Sequence, residues 1–305
     1  MTTPERSRST ESEARHAPVL VAEVVAALAP RPDGAYVDCT LGLGGHTAAL
    51  LAAGAGRVIG IDRDEQAIAI ARGRLGSDVD RVEFVHADYR ELPRVLRERG
   101  IERVSGVMAD LGVSSMQLDD ASRGFSFRMS GPLDMRMDPS RGPSLAERLA
   151  GIDETTLADV IFRFGDERKS RRVARAIVAA RDRGELDSTL AQASAVRRGV
   201  GAGSWQRIDP ATRTFQALRI WVNGELDGLE QFVDDAVAVL EPAGRLAVIA
   251  FHSHEDRAMK HTMRRLVAAG TVTQATRRPT IPTDSEIAAN PRARSARLRV
   301  VEKVA

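Results

Sequence analysis

A short strand, a glycine-rich loop and a helix, followed by a second strand that ends in an acid, constrain the fold of this chain most. The apolar stretch 35–38 ends at Asp38, and the loop LGLGGH follows at 41–46. An alanine- and leucine-rich helix then leads to the strand 57–62, which ends at Asp62. This order is typical of an open parallel α/β sheet that binds a ligand at the carboxyl ends of its strands.

The remaining pattern predicts an α/β core that is interrupted by helices. Helices are predicted before Pro30 and over 65–75, and strands over 82–86 and 104–109, the last of which leads to Asp110. Between about 117 and 209 no strand is predicted, and helical spacing of apolar residues appears at 144–149, 154–164, 169–183 and 189–197. A long helical stretch over 210–240, a strand at 245–251 and a last strand at 298–301 complete the prediction.

These patterns divide the chain into three parts. Residues 1–15 are rich in Ser, Thr, Glu and Arg and are predicted to be a disordered tail. Residues 16–117 and 210–305 are predicted to form the α/β core. Residues 118–209 are predicted to be a helical insertion into that core.

Composition favours an ordinary globular protein of the cytoplasm. Hydrophobic residues make up 43% of the 305 residues, charged residues 28%, and the net charge is +2. The apolar stretch 17–29 is interrupted by Glu23 and is too short to span a bilayer, and the first fifteen residues lack the apolar run of a signal peptide. Cys39 is the only cysteine, so no intramolecular disulfide can form and a reducing compartment is expected.

The glycine loop predicts a nucleoside cofactor but does not identify it. Gly42 and Gly44 match the first two glycines of the dinucleotide fingerprint, but Thr47 occupies the third position. A carboxylate at Asp62 is placed to accept hydrogen bonds from two ribose hydroxyls, and one at Asp38 suits a cationic amino group. S-adenosylmethionine carries both groups. The alternative is that both acids only cap their strands beside a structural turn.

Motifs along nearly the whole chain carry a resemblance to a known family. They are DLGVSSMQLD at 110–119, RGFSF at 123–127, GPLDMRMD at 131–138, HAPVL at 16–20, PATRTFQALR at 210–219, VN and EL at 222–226, FHS at 251–253 and NPRARSA at 290–296. Together with the glycine loop, they resemble the bacterial RsmH (MraW) family. Members of that family are S-adenosylmethionine-dependent 16S rRNA cytosine-N4 methyltransferases.

The resemblance implies a Rossmann-like methyltransferase core with an inserted all-helical domain for RNA recognition. It implies direct methyl transfer to N4 of a cytidine in the decoding region (P site) of 16S rRNA, within the 30S subunit. No metal and no membrane are expected from the residues themselves, and no obligatory protein partner is inferred. The cofactor positions of the family map onto Gly44, Gly45, His46, Asp62, Tyr89, Asp110 and Gln117, and Asp110 is the expected catalytic residue.

Three positions depart from the family pattern without removing a mapped residue. Cys39 stands where glycine is more usual, Ser130 where an acid is usual, and His254 where leucine is usual.

Methylation of carbon 5 of cytosine needs a cysteine nucleophile, and the only cysteine lies in the cofactor loop, which favours transfer to nitrogen. Two alternatives remain: an amino-methyltransferase of the same fold acting on another RNA or DNA, and a non-catalytic ribosome-assembly factor.

Other features allow two interpretations each. Residues 163–183 hold eight basic and three acidic side chains, and 277–303 hold seven and three, so either stretch could contact phosphates or form a solvated, ion-paired face. Phe125 and Phe127 could stack on an extruded base or pack in the core. His252, His254 and Glu255 could hold a metal, but we interpret them as structural or RNA-facing.

Overall fold

The computed structural model describes residues 18–201 and 209–305 and divides the chain into two compact units. The first unit runs to Gly112 and resumes at Gly228, and the second comprises Val113–Asp227. The tail predicted at 1–15 lies outside the described residues.

Helices and strands are labelled here in chain order. The first unit begins with α1 (Val21–Leu28), β1 (Ala35–Asp38), α2 (Gly45–Ala52), β2 (Arg57–Asp62), α3 (Glu65–Arg74), β3 (Val82–His86), α4 (Leu92–Arg97) and β4 (Val104–Asp110). The second unit holds α5 (Ser115–Asp119), α6 (Leu145–Ala150), α7 (Glu154–Gly165), α8 (Ser170–Asp182), α9 (Thr189–Val200) and α10 (Ala211–Asn223). The first unit resumes with α11 (Leu229–Ala238), β5 (Leu240–Ala250), α12 (Ser253–Ala268), β6 (Val272–Gln274), α13 (Asp284–Ala289) and β7 (Arg297–Lys303).

The first unit is built on a seven-stranded sheet with the order β3-β2-β1-β4-β5-β7-β6. The strands β1 to β5 are parallel, as predicted, whereas β7 pairs antiparallel with both β5 and β6. From β1 the chain moves outward to β2 and β3 and then returns to the other side of β1 with β4. The sheet is therefore a Rossmann-like α/β sheet whose topological switch point lies between β1 and β4, where such sheets bind ligands.

The central strands are almost continuously apolar because helices cover both faces of a parallel sheet. Every residue of β4 before Asp110 is buried. Leu20, Val24 and Leu28 pack with Leu50 of α2 in one cluster beside the sheet. At about 1.5–3 kcal/mol for each fully buried large aliphatic side chain, such clusters fix the strand ends that carry polar residues.

The second unit is helical, and its described residues contain no strand, as predicted. It is longer at both ends than the predicted insertion, 118–209. The helix α10, which the sequence assigned to the α/β core, packs against α7 and contributes Phe215, Leu218 and Val222 to the helical core. That apolar face draws α10 into the helical unit.

The single helical stretch predicted over 210–240 is wrong, because two glycines interrupt it. The helix α10 ends at Asn223, and Gly224 follows with φ of 56°. The helix α11 begins after Gly228, whose φ is 67°. Both values lie in the left-handed region that favours glycine, so the backbone changes direction between the two helices.

Among the described residues, no helix combines the length and the apolar character that a membrane span needs.

Candidate active site

Polar residues follow the carboxyl ends of four neighbouring strands and therefore gather at one edge of the sheet. The glycine loop follows β1, Asp62 ends β2, Tyr89 comes shortly after β3, and Asp110 ends β4. Since these strands are parallel neighbours, this edge brings together six of the seven predicted cofactor residues. These six are Gly44, Gly45, His46, Asp62, Tyr89 and Asp110.

The glycine loop depends on two glycines for its shape. Gly44 has φ of 80° and precedes α2 as its N-cap. A Cβ on Gly45 would lie 2.7 Å from Cγ of Pro18, so a side chain cannot be added there without a shift of the neighbouring segment. Because Gly44 supplies no side-chain cap, the backbone N–H groups of the first turn of α2 are available to a negatively polarised ligand group.

Asp38 holds this loop from within. Its carboxylate is fully buried, accepts a hydrogen bond from the Thr47 hydroxyl at 2.8 Å and accepts one from the Thr40 backbone N–H at 3.2 Å. Burial raises the pKa of Asp38, although His46 and these hydrogen bonds lower it in part. Of the two roles that the sequence left open for Asp38, the contacts favour the loop-capping one.

Asp62 is half-buried at the tip of β2. Its Oδ2 accepts a hydrogen bond from Gly42 N at 2.7 Å, and its Oδ1 accepts one from Asp64 N at 2.8 Å. Burial raises the pKa of Asp62 to about 6, against the effect of both hydrogen bonds. A carboxylate has about four acceptor positions, so further hydrogen bonds from ligand hydroxyls remain possible.

His46 and Asp110 face each other across the switch point. Nε2 of His46 lies 3.6 Å from Oδ2 of Asp110, and the backbone N–H of Asp110 donates to the Thr40 hydroxyl at 2.6 Å. Burial lowers the pKa of His46, but the nearby carboxylates of Asp110 and Asp38 leave it above its usual value. The pair therefore combines an imidazole with a raised pKa and a carboxylate in a largely buried setting.

Buried atoms without partners show that this pair fits a polar ligand. Among the described residues, the two ring nitrogens of His46 have no hydrogen-bond partner. Oδ1 of Asp110 also has none. Buried polar atoms are nearly always hydrogen-bonded, because an unpaired one costs about 1–3 kcal/mol. A ligand with polar groups at the switch point would satisfy these atoms.

Tyr89 lies in a short 3₁₀ turn after β3, and its ring packs edge-on against Phe232 with 4.8 Å between the ring centroids. Burial raises the pKa of Tyr89, so the phenol stays neutral. Its position offers an aromatic wall beside the sheet edge.

Asp88 was not singled out from the sequence, although it precedes Tyr89 and follows its strand as the other acids follow theirs. Its Oδ2 lies 2.8 Å from the Arg63 guanidinium, and its Oδ1 accepts from Nε of Arg90 at 2.7 Å. Burial would raise the pKa of Asp88, but Arg90 and Arg63 together hold it below its usual value. The network joins the chain after β2 to the chain after β3 and so fixes the start of the turn that carries Tyr89.

Gln117, the seventh predicted cofactor residue, belongs to the second unit. It is buried on α5 and forms a capping box with Ser114. Its Oε1 accepts from Ser114 N at 3.1 Å, and its own N–H donates to Ser114 Oγ at 3.2 Å. Within the motif at 110–119, Ser114 and Gln117 therefore form the N-terminus of α5.

Two of the features with open interpretations have structural roles. Phe125 is buried in the helical core, and the Phe127 ring packs edge-on against Phe215 at 4.9 Å, so packing accounts for both. His252 is the N-cap of α12: its Nδ1 accepts from Glu255 N at 3.3 Å, and its Nε2 lies 3.1 Å from Glu255 Oε1. These contacts of His252 and Glu255 are those of a helix N-terminus.

Ion pairs account for part of both basic stretches. In the first stretch, Arg175, Arg181 and Arg183 pair with carboxylates of Glu154, Asp182 and Glu185. In the second stretch, both Arg297 and Arg299 pair with Asp256. These arginines are ion-paired, as one of the two expectations had it, although Arg299 is largely buried.

The placement of the glycine loop, Asp62 and Asp110 at the switch point, with the motifs that follow β4, defines an S-adenosylmethionine-dependent methyltransferase with a Rossmann-like core. The residues present fit this cofactor, because it carries the ribose hydroxyls and polar groups that Asp62, His46 and Asp110 can bind. The chain belongs to the MraW methylase family, whose family model matches residues 13–304.

Curated relatives cover nearly all of the chain. It is 53% identical over 290 residues to ribosomal RNA small subunit methyltransferase H of Sorangium cellulosum, covering 95% of this chain and 91% of that protein. It is 50% identical to the protein of the same name from Nitrobacter winogradskyi, with 95% and 91% covered. The Synechococcus elongatus protein of that name is 48% identical, with 97% of each chain covered.

Proposed function

We propose that the protein transfers a methyl group from S-adenosylmethionine to N4 of a cytidine in the decoding region (P site) of 16S rRNA, within the 30S subunit. Three relatives that are 48–53% identical are named for methylation of small-subunit ribosomal RNA, which supports the substrate class. The resemblance to the RsmH (MraW) family supports the cytosine amine as the acceptor. Transfer is direct, without a covalent intermediate on the protein.

The buried, unpartnered Oδ1 of Asp110 carries this proposal. The exocyclic amine of cytosine is a poor nucleophile, because its lone pair is delocalised into the ring. A carboxylate that accepts a hydrogen bond from that amine orients it and favours the pyramidal nitrogen of the transition state. Asp110 stands at the tip of β4 with its backbone anchored to Thr40, and we assign the catalytic role to it.

The other mapped residues bind and orient the cofactor. Bound S-adenosylmethionine supplies an electrophilic methyl group on a sulfonium. Asp62 accepts hydrogen bonds from the ribose hydroxyls, and Tyr89 provides an apolar wall. Gly44, Gly45 and His46 form the loop and first helical turn that receive the polar end of the cofactor. The family resemblance also assigns Gln117 to cofactor binding.

The single cysteine supports transfer to nitrogen rather than to carbon 5. Cys39 is buried in the segment that leads into the glycine loop, and burial raises the pKa of its thiol well above the usual value. A thiol of this kind forms little thiolate at neutral pH, and the thiolate is the nucleophile that carbon-5 chemistry requires.

We assign recognition of the rRNA to the helical unit, Val113–Asp227. Arg163, Arg171 and Arg172 are exposed there, and none of the three has a carboxylate within ion-pairing distance among the described residues. Phe162 on α7, next to Arg163, has 59% of its surface exposed. Exposed arginines beside an exposed aromatic ring suit a nucleic acid, because they bind phosphates and stack on bases.

Methyl incorporation followed by nucleoside analysis tests the proposed function. Tritiated S-adenosylmethionine is incubated with the protein and with 30S subunits that lack their native decoding-site methylation. Labelled N4-methylcytidine is the expected product. Labelled 5-methylcytidine would contradict the proposed chemistry, and label in tRNA or DNA but not in 30S would contradict the proposed substrate.

A variant and its matched control test the catalytic role of Asp110. Asp110→Asn keeps the shape of the side chain but weakens the hydrogen bond to the amine, so methyl transfer should fall by about two orders of magnitude, as for the loss of one preorganised transition-state contact. The exposed Asp80→Asn is the matched control and should retain full activity. If the wild type methylates no substrate, and ribosome assembly is the same with the wild type and with Asp110→Asn, the protein is an assembly factor instead.

A further inference from the structure

The helix α12 carries a face of basic side chains that was not predicted from the sequence. Arg257, His261 and Arg264 are exposed, and Lys260 is half-buried. At 3.6 residues per turn these four side chains fall within an arc of about 100°. The opposite face packs inward through its buried residues, which are Glu255, Asp256, Met259, Thr262, Met263 and Leu266.

None of these four basic side chains is paired with a carboxylate. Within the described ranges, 18–201 and 209–305, none forms an ion pair, and the exposed positions of α12 include no acid. The short helix α4 shows the usual alternative, since Arg94 lies between Glu91 and Glu98 at 2.6 and 2.7 Å. Like charges at spacings of three and four residues repel each other, so this face of α12 costs stability unless a polyanion binds to it.

The position of α12 connects this face to the catalytic edge. Asp110 pairs in register with Ile249 of β5, β5 ends at Ala250, and α12 begins at Ser253. Arg257 therefore lies in the second turn of a helix that starts at the same edge as Asp110. The row then continues to Arg264, about 10 Å further along the helix axis.

We propose that Arg257, Lys260, His261 and Arg264 form a second RNA contact, borne by the α/β unit, which binds the phosphate backbone of the substrate rRNA beside the target nucleotide. The proposal rests on the proposed function for its substrate. Charge complementarity selects an RNA backbone. A membrane surface is disfavoured, because Val267 is the only large apolar side chain exposed on α12 and a membrane-binding helix needs a broad apolar face.

The test removes three of these charges and compares a variant with the same change in net charge elsewhere. The test variant is R257Q/K260Q/R264Q. The control is R57Q/R74Q/R97Q, three exposed arginines at the first residue of β2 and the last residues of α3 and α4. That is the opposite edge of the sheet from Asp110. The thermal unfolding temperature and the affinity for S-adenosylmethionine are measured for both variants, to check that each one folds.

Binding to 30S subunits is then measured over a series of KCl concentrations. Each phosphate contact contributes about 0.7–0.9 to the slope of log K against log salt, so the test variant should lose about 2 units of slope and the control should lose almost none. The KM for 30S should rise about tenfold or more in the test variant, with little change in the KM for the cofactor.

Equal salt slopes for the wild type and the test variant would overturn the proposal. So would an unchanged RNA slope combined with lost binding to phosphatidylserine vesicles, which would assign the face to a lipid surface. Because the slope is a binding measurement, it does not depend on the methylated product. If the slope falls but no N4-methylcytidine forms, the proposed function fails while the RNA contact stands.

Discussion

At the scale of single residues, Asp62 makes cofactor binding depend on pH. Burial raises the pKa of Asp62 to about 6, so the carboxylate is ionised at pH 7.5 and mostly protonated at pH 5. A charged acceptor binds hydroxyls more strongly than a neutral one. We expect the affinity for S-adenosylmethionine, measured by calorimetry, to fall about tenfold between pH 7.5 and pH 5.

The variant Asp62→Asn is the control for this pH dependence. It should bind the cofactor more weakly at pH 7.5 and lose most of the change in affinity between pH 7.5 and pH 5. The sign for the folded state alone is opposite: with a pKa above the usual 3.8, Asp62 favours folding more as the pH falls from 6 towards 4. A full pH dependence in Asp62→Asn would assign the effect to another group, such as His46, whose pKa is also raised.

Thr40 is the residue that sets the position of Asp110. Its hydroxyl accepts the Asp110 N–H at 2.6 Å, and its own N–H is fixed by Asp38. Thr40→Val keeps the branched shape but leaves the Asp110 N–H without its acceptor, so single-turnover methyl transfer should slow about tenfold, which corresponds to about 1.4 kcal/mol. Cofactor affinity should change much less.

Thr40→Ser retains the hydroxyl and should restore the rate close to that of the wild type. If Thr40→Ser is as slow as Thr40→Val, the hydroxyl does not position Asp110. A loss of thermal stability in Thr40→Val that matches the loss of rate would likewise assign Thr40 a general structural role.

The sequence places Asp62 and Asp110 correctly because both end apolar strands, and strand ends can be located from composition. The contacts of Asp110 with His46 and Thr40 were not predicted. They depend on β4 lying next to β1, and strand order is a long-range property that local patterning does not specify. Asp38 shows the same limit, since its complete burial follows from its neighbours on both sides.

At the scale of elements, the glycine loop is where backbone conformation is most restrictive. Gly44 has φ of 80°, and a Cβ there would also lie 3.4 Å from that of Ala71. Gly44→Ala should destabilise the protein by about 1–2 kcal/mol in urea unfolding, because alanine is strained in the left-handed region. It should also weaken cofactor binding, since the loop leads into the first turn of α2.

Gly73→Ala is the matched control for this substitution. Gly73 lies within α3, its φ is not positive, and a Cβ there would meet nothing within 4 Å. The change should stabilise the protein by about 0.5–1 kcal/mol, because alanine is the better helix former. If both variants shift stability in the same direction, the backbone conformation of Gly44 is not what the loop requires.

There are physical reasons why some helices and strands were not predicted from the sequence. Three of the six buried positions of α12 are polar, namely Glu255, Asp256 and Thr262, so its apolar period is too weak to reveal a helix. The antiparallel direction of β7 was not predicted, because strand partners and their direction depend on long-range contacts that the local sequence does not specify. Its partner β6 has only three residues, which is too short for a pattern.

At the scale of the whole molecule, six of the seven predicted cofactor residues lie in the first unit, whereas the second unit is helical. The second unit is continuous in sequence, from Val113 to Asp227, and has its own hydrophobic core. The first unit is assembled from two segments that meet in one sheet, where β4 and β5 pair. A continuous segment of 115 residues with its own core meets the usual description of an independent domain.

We therefore expect the fragment 113–227 to fold on its own. It should show helical circular dichroism and a single cooperative transition in urea, and it should not bind S-adenosylmethionine, because Asp62 and Asp110 lie outside it. Leu157→Ala, at a fully buried position, should destabilise the fragment by about 2–5 kcal/mol. A fragment that unfolds without a cooperative transition, or that is insensitive to Leu157→Ala, would mean that the helical core needs the α/β unit to form.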